Sequence, residues 1–142
     1  MKTLSRWSGS AMLCFLLTGC ATGLFGSRPA PYAEILGTWK GHGYGDQGGA
    51  PVEMTLVLQE KDGVFTGYLS IPEQGLESAS LDNLRYEDRN LTCSVRWGNE
   101  MMGYSITVMM NLNLEDEELR GWFSSEVVSG EIVLKRSPGQ SR

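Results

Sequence analysis

Cysteine and histidine are the residue types in this chain best suited to nucleophilic or metal chemistry, and both are scarce. The 142 residues contain three cysteines, Cys14, Cys20 and Cys93, and one histidine, His42. A catalytic cysteine needs a neighbouring base, and a zinc site needs three or four Cys, His or carboxylate ligands. We therefore expect no catalytic residues, no metal site and no cofactor, and the sequence predicts a protein that is not an enzyme.

Two further motifs match known ligand sites only in part. Residues 43–48 read Gly-x-Gly-x-x-Gly, but a dinucleotide site needs a helix after this motif, and here a strand pattern follows. A glycine-rich loop is predicted instead, with His42, Tyr44 and Asp46 as its nearest polar groups. The acidic run 115–118 lacks the glycine and the spacing of a calcium loop and predicts a charged hairpin turn.

The remaining reactive candidate is Cys20, at the end of an apolar N-terminal stretch. Lys2 and Arg6 precede residues 11–17, which have the length of a signal-peptide core and are too short to span a bilayer. The stretch ends in Leu-Thr-Gly-Cys at 17–20, which resembles the lipobox of bacterial lipoproteins. That resemblance implies removal of residues 1–19 and acylation of Cys20, with palmitate as a typical chain.

This resemblance also implies a location. The position after the lipobox cysteine is Ala21, whereas an aspartate there commonly marks retention at the inner membrane of lipoproteins from hosts with two membranes. We therefore expect attachment to the outer membrane, facing the periplasm, in such a host. Acyl chains stabilise such an anchor by about 0.8 kcal/mol for each buried CH₂.

Removal of the signal peptide changes the charge and cysteine content of the chain. Lys2 and Arg6 are the only charged residues of 1–19, so the formal charge falls from −5 to −7. Binding to nucleic acid is not expected, because phosphate contacts need clustered Lys and Arg. Cys93 is then the single unmodified cysteine, so we expect no internal disulfide and a buried thiol at this position.

The hydrophobic pattern predicts an all-β domain over residues 35–136, between a flexible tether at 20–34 and a polar tail at 137–142. Apolar residues alternate with polar ones in short runs, and turn residues such as those at 61–63 separate the runs. An antiparallel eight-stranded up-and-down barrel is the first expectation, because closure removes exposed strand edges, and a two-sheet β-sandwich is the alternative. The predicted strands are 35–44, 52–60, 64–71, 81–86, 91–97, 103–112, 119–124 and 131–136.

Several motifs along this domain resemble those of known families. Gly37-Thr38-Trp39 resembles the Gly-x-Trp signature of lipocalins and related calycin barrels, in which the tryptophan packs across the closed end. The wider region 35–136 is similar to small bacterial export modules that occur as free lipoproteins or ahead of hydrolase domains. The shared motifs lie at 37–41, 67–69, 72–75 and 119–123. The lipocalin resemblance implies binding of small apolar ligands, whereas the bacterial modules imply no established activity.

Two functional hypotheses follow from these observations. In the first, a lipid-anchored barrel binds one small apolar ligand inside. In the second, a barrel with a filled core acts as an envelope scaffold or as an inhibitor of a secreted hydrolase, contacting an envelope protein through its loops or outer face. The candidate ligand-binding residues are Trp39, Tyr44, Leu56, Phe65, Val95, Trp97, Tyr104, Ile106 and Phe123.

Overall fold

The computed structural model describes residues 28–99 and 103–138, and they form a single closed barrel of eight antiparallel strands. Each strand pairs with the next one along the chain, and the last strand pairs with the first. The predicted up-and-down barrel is therefore confirmed, and the sandwich alternative is wrong. The strands are β1 (Gly37–Gly45), β2 (Val52–Lys61), β3 (Val64–Ile71), β4 (Leu76–Glu87), β5 (Asn90–Asn99), β6 (Tyr104–Glu115), β7 (Glu118–Ser124) and β8 (Ser129–Arg136).

Two-residue turns at one end of the barrel join β2 to β3, β4 to β5 and β6 to β7, as the sequence predicted. Asp62 and Gly63 have positive φ angles of 53° and 75°, and Asp88 and Arg89 have angles of 49° and 63°. Positive φ at both central residues gives the turn the twist of the flanking strands. We call this end the closed end, and the opposite one, with the longer β1–β2 loop, the open end.

β4 differs most from its predicted extent. It begins at Leu76, whereas the sequence pattern predicted a strand only from residue 81. Ser78 and Asn83 have positive φ angles of 49° and 53°, and the pairing shifts register on both sides of this strand. Such β-bulges insert one extra residue and break the period-2 alternation, which hid the first part of the strand.

The closed half of the barrel is solidly packed. A short 3-10 helix, η1 (Ala33–Ile35), precedes β1 and brings Ile35 onto this end of the core. Ile35 and Trp39 are both fully buried, and the Trp39 indole Nε1 donates a hydrogen bond of 2.9 Å to the Ile35 carbonyl. The other large side chains that fill this half are Leu56, Leu58, Tyr86, Leu91, Leu112, Leu114, Leu119 and Leu134.

Arg136, the last residue of β8, ties the N-terminal segment to the closed end. Its guanidinium lies 4.2 Å from the centroid of the Trp39 ring, a cation–π distance. The same group donates hydrogen bonds of 2.9 Å to the Leu36 carbonyl and 2.6 Å to the Glu34 carbonyl. Tyr32 also contacts the barrel, stacking on Phe65 at 4.5 Å. The described chain therefore reaches the barrel at its closed end.

Candidate functional site

The open half of the barrel contains an apolar cavity of about 300 Å³. Its floor consists of buried side chains from the middle of the barrel, including Met54, Leu69 and Val108. The other lining residues come from the strands and from three connections at the open end: Gly43, Gly45, Gly48, Ala50, Val52, Ile71, Gln74, Leu76, Val95, Trp97, Met110, Phe123, Val128 and Ile132.

Gly43 and Gly45, on the inner face of β1, leave space in the wall of the cavity. Alternation along β1 places Trp39 inside, and the next three inward positions are Gly41, Gly43 and Gly45. A Cβ built on Gly45 meets no atom within 4 Å, so the site has room for a side chain. Gly45 pairs across the sheet with another glycine, Gly130 of β8. The wall therefore lacks the large side chains that fill the closed half.

The cavity lining is almost entirely apolar. Gln74 supplies its only side-chain amide, and none of the described lining residues is charged. Because an unpaired charge is costly to bury in apolar surroundings, the part of a ligand that enters must itself be uncharged. The cavity can thus bind an apolar group by removing its surface from water.

The β1–β2 loop lies against the start of β8 at the mouth of the cavity. The Asp46 backbone N–H donates a hydrogen bond of 2.9 Å to the Ser129 carbonyl, and the Ser129 hydroxyl donates one of 2.7 Å to Asp46 Oδ2. Gly48 and Ala50, from the same loop, line the cavity. Because β1 extends to Gly45, the glycine-rich segment 43–48, predicted to be a loop, is divided between the end of β1 and the β1–β2 loop.

Three of the predicted ligand-binding residues, Val95, Trp97 and Phe123, lie together in the cavity wall. Trp39 and Leu56 are also inside the barrel, but both are fully buried in the packed half. Phe65 lies at the closed end, stacked on Tyr32.

The other predicted residues lie outside the lining. Tyr44 and Tyr104 are 47% and 55% exposed, and Tyr104 borders a shallow depression that also includes Arg96 and Ser105. Ile106 is half-buried and packs against the core without reaching the cavity. Cys20, the predicted lipidation site, lies outside the described residues.

Sequence reasoning missed several lining residues at the open ends of strands. Gly43 and Gly45 were assigned to a loop motif, although their alternate spacing from Trp39 was a signal for the inner face. Ile71 and Leu76 flank the open-end connection at 72–75, which contains the 3-10 helix η2 (Pro72–Gln74). In an up-and-down barrel, apolar residues next to the connections at one end are a sequence signal for the residues that line a cavity at that end.

Cys93 is buried in the core, as predicted. Burial raises the pKa of its thiol to about 12, so the reactive thiolate is a minor species at neutral pH. His42 is exposed on the outer face of β1, 6.4 Å from the Tyr44 ring. Within the described ranges, no group of three His, Cys, Asp or Glu side chains is placed to hold a metal ion.

Comparisons of this chain with protein-family models, with curated proteins and with solved structures find no match. In the part of the chain that the structure describes, neither 3-10 helix has the length and apolar character needed to cross a membrane.

Proposed function

We propose that this protein is a lipid-anchored envelope lipoprotein whose barrel binds a small apolar ligand in the open half. The observation that supports this function is the apolar cavity of about 300 Å³. The volume lies at the lower end of the range for small-molecule sites, which runs from about 300 to 1,000 Å³. A core of the same fold used only as a scaffold has no need of such a space.

The cavity volume sets the size of the ligand. An apolar cavity of about 150 Å³ accepts benzene, so about 300 Å³ corresponds to a group on the order of ten carbon atoms. Burying ten methylene groups contributes about 8 kcal/mol, from which the cost of association is subtracted. We therefore expect a dissociation constant between about 1 µM and 1 mM for a ten-carbon alkyl ligand.

Blocking the cavity should abolish this binding. Gly45→Phe places a large side chain at a lining position where an added Cβ meets nothing within 4 Å, and we expect its ring to occupy the mouth of the cavity. We expect residues 21–142 to bind decan-1-ol, and Gly45→Phe to weaken that binding at least about tenfold. Isothermal titration calorimetry measures both, and burial of apolar surface gives a negative heat-capacity change.

His42→Phe is the matched control, because it adds the same ring to the exposed outer face of the same strand. Its affinity for decan-1-ol should equal that of the unmodified chain. Residues 21–142 suit this test because every strand pairs within the barrel and the core comes from these strands and η1. Equal affinity in Gly45→Phe, or no heat of binding in the unmodified chain at two well-separated temperatures, would contradict ligand binding in this cavity.

The proposed anchor is consistent with the position of the cavity. The described chain joins the barrel at the closed end, through Tyr32 and η1, whereas the cavity opens at the other end. A tether from Cys20 therefore attaches opposite the cavity mouth. This arrangement leaves the mouth accessible when the protein is held at a membrane surface.

Loss of the lipidated cysteine should release the protein from the membrane. We expect Cys20→Ser, expressed in a bacterial host, to lose acylation, which metabolic labelling with a palmitate analogue detects. Without acyl chains the barrel should leave the membrane pellet after a carbonate wash, while Cys93→Ser should remain there. Retention of the Cys20→Ser protein in the washed membranes would contradict the anchor.

A further inference from the structure

The charged side chains in the described loops around the cavity mouth are all acidic. Asp46 lies between the lining residues Gly45 and Gly48, and Glu73 is adjacent to the lining residue Gln74. Glu126, in the β7–β8 connection, is two residues from a third lining position. All three acidic side chains are exposed.

No basic side chain balances these acids within the described connections of the open end, residues 46–51, 72–75, 103 and 125–128. Arg96 on β5 is paired with Asp82 at 3.3 Å on the outer wall. Arg120 is paired with Glu118 and Glu131 at 3.0 and 3.5 Å. The negative charge at the mouth is therefore not neutralised locally.

From the apolar interior and the acidic mouth together, we propose that the ligand is an amphiphile with an uncharged or cationic head. Its alkyl tail occupies the cavity, and its head stays at the mouth beside Asp46, Glu73 and Glu126. The head cannot follow the tail inside, because the lining offers a charged group no partner. An anionic head, such as a carboxylate, is repelled by the three acids at the mouth. This inference rests on the proposed function, since it assigns the ligand class of the same cavity.

Three ten-carbon probes that differ only in the head test this proposal: decan-1-ol, decylammonium and decanoate. Calorimetric titration of residues 21–142 at neutral pH and about 0.02 M salt should give decanoate an affinity about fivefold below that of decan-1-ol. Decylammonium should bind at least as tightly as decan-1-ol. At about 0.5 M salt the three affinities should converge, because screening shortens the reach of the acidic side chains.

Neutralising the mouth should remove the discrimination. The triple variant Asp46→Asn, Glu73→Gln, Glu126→Gln keeps the shape of each side chain, and asparagine at 46 can still accept the Ser129 hydrogen bond. We expect it to bring the affinity for decanoate to within about twofold of the affinity for decan-1-ol.

The matched control makes the same charge change at the closed end. Asp62, Asp88 and Asp116 lie in the turns there with φ angles of 53°, 49° and 52°, a conformation that asparagine tolerates well. Asp62→Asn, Asp88→Asn, Asp116→Asn should shift the decanoate affinity by less than about 1.5-fold, because these residues lie at the far end of the barrel.

The outcomes separate this inference from the function on which it rests. Tighter binding of decan-1-ol and decylammonium than of decanoate, lost only in the open-end variant, supports the proposal. Binding of all three probes with equal affinity, or an equal effect of both triple variants, would overturn the head-group assignment and leave an apolar binding site. Failure of all three probes to bind would overturn both.

Discussion

Replacing Trp39 with alanine should lower the free energy of unfolding by about 3–5 kcal/mol. The indole is fully buried at the closed end and is the largest side chain there. Its removal leaves a cavity in the packed half, the Ile35 carbonyl loses its hydrogen bond of 2.9 Å, and the Arg136 guanidinium loses the ring that it contacts. Urea unfolding of residues 21–142, followed by circular dichroism, measures the loss.

Trp122→Ala is the control for this prediction, since Trp122 is 60% exposed on the outer face of β7. We expect it to cost about 1 kcal/mol or less. If Trp39→Ala also lowered the free energy of unfolding by only about 1 kcal/mol, the stability of the closed end would not depend on Trp39, contrary to what its burial indicates. The decan-1-ol affinity of folded Trp39→Ala should stay unchanged, because Trp39 does not line the cavity.

Much of the fold was predictable because alternation and turn residues are local signals. The run beginning at Leu91 alternates strictly, the run beginning at Val52 alternates except at Val57, and Asp62-Gly63 marks its hairpin with residues that tolerate positive φ. β4 could not be delimited in the same way, because the bulges at Ser78 and Asn83 each change which face the following residues occupy.

The site was less predictable than the fold, for a geometric reason. Alternation shows which residues point inward, and it correctly placed Leu56, Val95 and Phe123 inside the barrel. It does not show their height along the barrel, which depends on the stagger between strands that are distant in sequence. Leu56 therefore lies in the packed half, whereas Val95 and Phe123 reach the cavity.

A second large effect is expected at Gly121, on the inner face of β7. This glycine pairs with Leu112 of β6 and with Ile132 of β8 and is buried between them. A Cβ built on Gly121 would overlap the backbone carbonyl oxygen of Asn111, and it would lie 2.9 Å from the Leu112 Cα. The atoms that the added methyl group would meet belong to the backbone of the neighbouring strand, which cannot move aside as a flexible side chain could. Glycine in a strand often marks such a close approach of two backbones.

Gly121→Ala should therefore destabilise the barrel by about 3 kcal/mol, since relief of the overlap requires β6 and β7 to separate. Gly45→Ala is the matched control: it adds the same methyl group at an inward strand position with nothing within 4 Å, and it should change stability by less than about 0.5 kcal/mol. Urea unfolding measures both variants. A Gly121→Ala protein as stable as the control would show that the two strands can separate at no cost. Such a result would contradict our interpretation that inward glycines have two different roles. In that interpretation, Gly121 allows two strands to pack closely, and Gly45 leaves open space for a ligand.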